Sequence, residues 1–510
     1  MILINLLHFY QPINQQDDIL DRIVNESYRP ILQGMLQKQT RKLNINISGS
    51  LTSLLLLKGY DDVIESLKGL KARNQIEFTA SAMYHPILPL LPKNEILRQI
   101  ELNDIENKKA FGDLYKPRGF FPPEMAVSEA VFDVCVEKGY EWVAAPTASC
   151  PKEFSVNENA FVYKESGLKI FFRNKPVSSI VLSAQVRSAG DLLDQTRDFR
   201  QKDEYWFTVM DAETFGHHRI GHEKLLFELM DCPDLTNILG SEISEFGGQV
   251  VQVIPLPGTW TNDEQDSFLG GKDTSFVLWS DPTNPIHKAQ WELSYLVIDS
   301  LTKNTLNPNW TKARKLADYA LASDQYWWAS GKPWWSLEMV EQGAYSLKNV
   351  IETLFDSSEA VQEVQLAKKL YTQIVDIAFE WQRSGYIRKI HSEMSTTHTK
   401  PPLKERTPAE WFNQLVLEFE YEMNYAVAKQ DFERAIKWRD AILKISLGSD
   451  KYDILHVVDE LWLGRNTPWA TPKVKPFLEH RWEEFSDFAK SHLLEVRTKE
   501  DFENWQKSKS

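Results

Sequence analysis

The sequence predicts an α/β fold: a barrel of parallel strands slightly short of the usual eight, followed by a helical domain. Three observations carry this. Short apolar runs alternate with helical periodicity through the first 260 residues, the pattern of a parallel sheet whose crossovers are helices. About seven such runs are present, and several stop at ionisable residues, which suits strand ends at the mouth of a barrel. From about Asn284 onward the periodicity is helical only.

The elements follow in order. Ile2 to Leu7 is a continuous apolar run, as expected of a strand covered on both faces, and it ends in His8-Phe-Tyr-Gln-Pro12. A helical segment from about Ile19 to Gln39 leads to a strand at Asn44 to Ser48 and further helix through Leu70. Gln75 to Ala80 is the third strand, interrupted by Glu77, and the proline-rich Ser81 to Pro92 is a loop. A helix spans Asn94 to Phe111, and the strand Pro117 to Phe121 runs into Pro122-Pro-Glu124. Ser128 reads as the N-cap of a helix to Lys138, and Tyr140 to Ala145 is the fifth strand. Lys169 to Arg173 and Ser178 to Ser183 read as an inserted hairpin before a helix at Ala189 to Arg200. Tyr205 to Met210 is a strand that ends in Asp211 and Glu213, then Gly216, His217 and His218. A helix at His222 to Met230 precedes the last core strand, Gln249 to Ile254. Beyond it come helices at Ile286 to Lys303, Trp310 to Ser330, Leu337 to Asp356, Ser358 to Arg383 and Pro408 to Ile445, with a polar connector at Thr396 to Thr407.

A chain of 510 residues exceeds one ordinary domain. The expected division is a barrel over 1–283, a helical domain over 284–450 that contributes to the cleft, and a C-terminal extension over 451–510. Net charge is -14 with no strong basic block, which argues against nucleic acid as the main partner, because phosphate binding needs a positive face. Cys135, Cys150 and Cys232 are few and far apart, pointing to a reducing compartment and not to a disulfide framework or a zinc site. Met1 to Leu7 reads as a strand and not a leader, and no apolar run approaches the roughly 20 residues that span a bilayer. The expectation is a cytoplasmic protein with no membrane partner. Seventeen Trp is a high count; most are packing, and Trp260 and Trp279 are candidate sugar platforms.

Asp and Glu are seldom buried unless paired, so a buried strand that ends in Asp211 and Glu213 points to chemistry. Four strand ends carry such groups: His8 with Gln11, Glu77 with His85, Glu124, and Asp211 with Glu213. In a barrel these converge on one rim. Two carboxyls from different strands are what glycoside hydrolysis requires, one to protonate the leaving oxygen and one to attack or to activate water.

At these residues the sequence resembles glycoside hydrolase family 57. His8-Phe-Tyr-Gln-Pro12 is similar to its first motif, Gln75-Ile-Glu77 with Tyr84-His-Pro-Ile-Leu88 to the second, and Gly119-Phe-Phe-Pro-Pro-Glu124 to the third. Asp211-Ala-Glu-Thr-Phe-Gly216 is similar to the fourth and Ser323-Asp-Gln-Tyr-Trp-Trp328 to the fifth. The resemblance implies a (β/α)7 barrel, an incomplete TIM-like form, with a following helical domain. It also implies a retaining mechanism on α-glucans with no metal or other cofactor, as α-amylase or 4-α-glucanotransferase. Carried over, Glu124 is the nucleophile and Asp211 the acid/base. His8, Glu77 and Glu213 line the subsite at the cleaved bond, with Gln11 in support, and Asp324 and Trp327 reach in from the helical part; His85, in the loop of the second motif, is a further substrate-binding candidate, as is Trp260 as a sugar platform. Two positions depart from the pattern: Tyr10 stands where a second His is usual, and Phe121 where Trp is common.

Two other readings differ in class. A zinc-dependent deacetylase or α-mannosidase on a similar barrel would need a ligand cluster; the pair His218 and His222 has i,i+4 spacing but lacks the H-E-x-x-H frame. A non-catalytic glucan-binding protein would have no need to keep both Glu124 and Asp211.

Overall fold

The computed structural model describes residues 1–156, 159–184, 186, 188–197, 204–219, 221–243, 250–261, 275–331, 334–358, 360–390, 404 and 409–447. Among them the strands are β1 (Ile2–Phe9), β2 (Leu43–Ile47), β3 (Ile76–Ala80), β4 (Gly119–Phe120), β5 (Trp142–Ala145), β6 (Ala160–Tyr163), β7 (Lys169–Phe172), β8 (Tyr205–Asp211), β9 (Thr236–Asn237) and β10 (Val250–Val253). Residues 3–9 of β1 and all of β2 to β5 are buried; β1 and β5 are mostly apolar accordingly, whereas β2 and β3 alternate and bury Asn44, Asn46, Glu77 and Thr79, each of which has a hydrogen-bond partner.

Seven strands curl in the order β8-β1-β2-β3-β4-β5-β7, every neighbouring pair parallel. The two ends meet where the Asn174 N–H donates to the Phe207 carbonyl at 2.8 Å and Arg173 Nε to the Val209 carbonyl at 3.1 Å. Inside, Trp142 packs on Phe171 and Phe207 with centroids 5.4 and 6.2 Å apart. A Cβ on Gly119 would meet the Trp142 ring at 2.1 Å, so β4 approaches this indole only as glycine.

The count of seven agrees with the sequence, but one member differs. Lys169–Phe172 takes the barrel place expected of Gln249 to Ile254. β10 lies outside, parallel to β6, with Val250 and Gln252 exposed, so it cannot be a doubly covered core strand. The antiparallel pair is β6 with β7, one segment earlier than expected. Ser178 to Ser183 is mostly helix (Lys175–Leu182). Asn174 accepts from the Val177 N–H, Pro176 sits in the first turn, and Val177, Ile180 and Val181 bury one helical face. Ser128 does precede the helix Glu129–Glu137, but its hydroxyl does not cap it.

The segment read as one helix from Ile19 is Asp17–Ile23 and Arg29–Gln37 joined by a π-helical turn, Val24–Tyr28. Further on, helices Pro285–Lys303, Trp310–Ala320, Asp324–Trp328, Leu337–Leu354 and Gln362–Ser384 follow. The break at Leu321–Ser323 is tertiary in origin: the Ser323 N–H donates to the His85 carbonyl at 3.2 Å. One hydrophobic cluster joins Phe120, Val143 and Ile170 of the barrel to Leu293, Leu347 and Leu370 of these helices. Ion pairs add to it: the buried pair of Arg314 with Glu95 at 2.8 Å, and the half-buried Arg98 bidentate to Asp318 at 2.6 Å. Barrel and helices up to His391 form one compact unit, Met1–Glu213 with Lys224–His391.

The second unit comprises Thr214–Glu223 and the described residues after His391. The helix expected at Pro408 to Ile445 is a hairpin, Ala409–Ala428 and Phe432–Leu447. Gln430 takes φ 60°, and the Asp431 N–H closes on the Ala426 carbonyl at 2.9 Å, which ends the first helix. Phe419 and Trp438 meet across the pair at 4.9 Å. The extension 451–510 and the connector Thr396 to Thr407, apart from Lys404, lie outside the described residues. No helix among the described residues is long and apolar enough to cross a membrane. The three cysteines are free thiols.

Candidate active site

His8, the penultimate residue of β1, is in register with Asn46 of β2 on one side and Asp211 of β8 on the other. The Asn46 amide is oriented because its Nδ2 donates to Thr79 Oγ1 at 3.0 Å. Its Oδ1 therefore accepts from His8 Nδ1, at 2.6 Å. His8 Nε2 is then the acceptor for His85 Nε2, 3.1 Å away, and His85 Nδ1 accepts from Ser323 Oγ at 3.0 Å. One amide thus fixes two tautomers. Burial lowers the His8 pKa to about 4 against the Asn46 bond, and pushes His85 well below its ordinary value, with His8 adding to the effect. Both rings are neutral at pH 7.

Glu124 sits on the turn after β4. Its backbone is left-handed (φ 57°), as are Met125 (φ 45°) and His85 (φ 56°). Such strain in non-glycine residues persists only where surrounding contacts enforce it, and it gathers at functional sites. Here the enforcing contacts are the paired backbone bonds of Val127 and Gly258, which bring Trp260 alongside. Trp260 Nε1 donates to Glu124 Oε2 at 2.7 Å. His85 Nδ1 lies 3.8 Å from Glu124 Oε1. Burial pushes the Glu124 carboxyl up to about 8; the charge of Asp211 adds to this, the Trp260 N–H opposes it, and Asp324 adds a further contribution.

Glu213 is buried on the turn after β8. Gln11 Nε2 donates to its Oε1 at 2.7 Å, and the Tyr28 hydroxyl donates to the same oxygen. Burial and then the charge of Asp211 raise its pKa, while Tyr28 and Gln11 oppose them. The Tyr10 hydroxyl donates to Asp324 Oδ2 at 2.7 Å, and its ring stacks on His85 at 3.9 Å. Burial raises Asp324 against that bond. Phe121 stacks on His8 at 4.7 Å.

The structure therefore brings together His8, Gln11, His85, Glu124, Asp211, Glu213, Trp260 and Asp324. Glu77 stands apart. It is level with Asn44 and hence Leu6, below His8 and towards the amino-terminal end of the barrel. Its carboxylate accepts from Trp142 Nε1 at 2.8 Å and from the backbone and hydroxyl of Ser241. Trp327 gives its ring to Trp334 and Trp328, each at 4.9 Å. Trp279 is fully buried core, its carbonyl accepting from Trp291 Nε1 at 2.8 Å. Asn46, Tyr28 and Ser323 were not singled out from sequence. Asn46 carries a signal, a polar residue within a strand, and Ser323 opens the fifth motif; Tyr28 carries none. In the second unit the His222 ring stacks on Phe215 at 5.4 Å. Among the described residues no group of three or more His, Cys, Asp or Glu is arranged to hold a metal ion.

Residues 5–235 match the profile described as glycosyl hydrolase family 57, a stretch that holds the first four strand-end clusters described above. This part of the chain is similar to glycosyl hydrolase family 57. Alpha-amylase 1 of Dictyoglomus thermophilum is 28% identical over 167 residues, 32% of this chain and 24% of its own length. The alpha-amylase of Pyrococcus horikoshii is 23% identical over 267 residues, 49% of this chain and 41% of its own. The chain thus spans less than half the length of these two curated relatives. The crystal structure of 4-alpha-glucanotransferase from Thermococcus litoralis superposes with TM-score 0.54 at 18% identity, covering 69% of this chain and 60% of that one, and shares the fold. The family 57 match ends before the helical segment. Residues 414–447, within the hairpin of the second unit, match another profile, the UvrB/uvrC motif.

Proposed function

We propose that the barrel of this chain is a retaining α-glucan-active enzyme, cleaving α-1,4-glucosidic bonds through a covalent glycosyl-enzyme. The observation that carries the reading is the pairing of Glu124 and Asp211. They come from the ends of β4 and β8, yet the charge of one shifts the proton affinity of the other, with Trp260 and His85 against Glu124 and His8 in register beside Asp211. The alpha-amylases and the 4-alpha-glucanotransferase among its relatives support the substrate class.

The two carboxyls share the work through one proton. Two neighbouring carboxylates ionise together only at a cost, so the pair holds a proton over a wide pH range. With the proton on Asp211, the charge that raises Glu124 is gone and the Trp260 N–H favours the carboxylate. Glu124 then forms its bond to C1 as the C1–O bond breaks. The electron pair goes to the leaving oxygen, which takes the proton from Asp211. Asp211, now the base, deprotonates water or a second sugar hydroxyl, which releases the glycosyl group from Glu124. Water as acceptor makes the enzyme an amylase, and a sugar hydroxyl makes it a transferase.

The test is incubation with maltoheptaose, wild type beside Glu124→Gln, with a chelator present throughout. Short products alone identify hydrolysis, and a ladder that includes longer chains identifies transfer. Glu124→Gln should lose at least about a hundredfold of either. Wild type inert on maltoheptaose, or a variant as active as wild type, would overturn the reading.

A further inference from the structure

Resting on that reading, we propose that a recess beyond the Tyr10–Asp324 pair is a subsite for one further glucosyl unit of the chain, away from the bond that is cleaved. The recess holds about 480 Å³, part of it shared with bulk solvent, which falls within the range of about 300–1,000 Å³ common to small-molecule sites. Its walls come from the segments that follow β1, β2 and β3 and from the helices Trp310–Ala320, Asp324–Trp328 and Leu337–Leu354. Tyr10 and Asp324 belong both to the recess and to the reaction centre. They line the first, and the charge of Asp324 reaches Glu124 in the second. A glucan held at Glu124 therefore has the recess as its neighbour.

The lining suits a neutral sugar ring. No Lys, Arg or His contributes to it and Asp324 is its single carboxyl, so nothing there favours a phosphate or another anion. Tyr84 and Tyr319 line it, half-buried, and meet edge to face with centroids 6.0 Å apart. Among the described residues neither phenol has a hydrogen-bond partner. Burial raises the pKa of both, with Asp318 adding to the first and Asp324 to the second, so both stay protonated and able to donate. The acceptor is Gln325, which also lines the recess and is 6% exposed. Its Nε2 donates to the Ala320 carbonyl at 2.6 Å, which fixes the orientation of the amide. Its Oε1 has no partner among the described residues, and a buried oxygen without a donor is costly until something supplies one. A hydroxyl entering the recess would supply it. The space beside this amide is kept by Gly343, where a Cβ would meet the Gln325 side chain at 2.3 Å. Aromatic faces, two free hydroxyl donors and an unpaired acceptor together complement a ring whose own hydroxyls both give and accept.

The readout must separate binding in the recess from cleavage. Maltoheptaose is titrated calorimetrically into the whole chain carrying Glu124→Gln, which binds without turnover, and into the same protein with Tyr319→Ala or Tyr319→Phe added. Tyr319 is not among the groups assigned to cleavage. Loss of its ring should weaken binding about tenfold and loss of its hydroxyl alone about threefold. Tyr319→Phe keeps the packing and decides the matter if Tyr319→Ala does not fold. In the otherwise wild-type protein, Tyr319→Ala should raise KM for maltoheptaose by about tenfold and leave kcat within about twofold, because a remote subsite binds ground state and transition state alike. Affinity unchanged in both variants, no binding of maltoheptaose to Glu124→Gln, or a loss that falls on kcat instead of KM would overturn the proposal. The underlying reading fails separately. A wild type that does not cleave maltoheptaose, with the variants still differing in affinity as stated, would leave a sugar-binding recess in a protein that is not this enzyme.

Discussion

Glu124→Gln should change the pH dependence of stability, independently of catalysis. The folded carboxyl is held up to about 8 from its ordinary 4.5, with burial as the first cause. Between those values the native protein keeps a proton that the unfolded chain has released, so wild-type stability falls as pH rises through this window. The sign is opposite to that of a salt-bridged carboxylate. Glutamine has the shape of the protonated acid, can accept from Trp260 Nε1, and does not titrate. The stability of Glu124→Gln minus that of wild type should therefore be near zero at pH 5 and grow by at most ~1.4 kcal/mol per pH unit. By pH 7.5 the variant should be ahead by up to about 3 kcal/mol. Coupling to Asp211 spreads the proton over both groups and brings the slope below that ceiling. The assay is urea unfolding of both proteins by tryptophan fluorescence at half-unit steps from pH 5 to 8, taking the difference at each pH so that other titrations cancel. A flat difference, or one that shrinks with pH, would refute a proton on this carboxyl and the burial argument with it.

Three further outcomes are expected. Trp260→Phe removes the donor that favours ionised Glu124, so the acid limb of the kcat/KM profile on maltoheptaose should move up by about one unit; an unmoved limb would show that the indole does not act on Glu124. Arg314→Ala strands Glu95 in the core and should cost about 3–5 kcal/mol in chemical unfolding, against little effect from removing the exposed Arg22–Glu26 pair; equal effects would mean that the buried pair is hydrated. Gly119→Ala should cost about 1–3 kcal/mol by driving a methyl into Trp142, and wild-type stability in that variant would mean that the indole has room to move.

The sequence by itself determined the class of fold, the seven-strand count and most of the residues that meet at the carboxyl ends of the strands. The reason is local. A strand buried on both faces must be apolar, so Tyr205 to Met210 reads plainly, and an acid that interrupts such a run has to be used. Parallel topology then sends His8, Glu124 and Asp211 to one rim, whatever their separation in the chain. Membership and depth were decided only by tertiary structure. Lys169–Phe172 and Val250–Val253 are equally short and apolar, and only packing shows which is covered on both sides. Glu77 looks like a rim residue because it interrupts a strand, but register places it below His8, bonded to Trp142 and Ser241. Tyr28 is the opposite case. Nothing in a helical pattern marks one tyrosine among many, and it meets Glu213 only because a π-turn aims its hydroxyl at a carboxyl 185 residues away. Side-chain type is written in the sequence; which protons those side chains hold is set by neighbours that only the folded chain supplies.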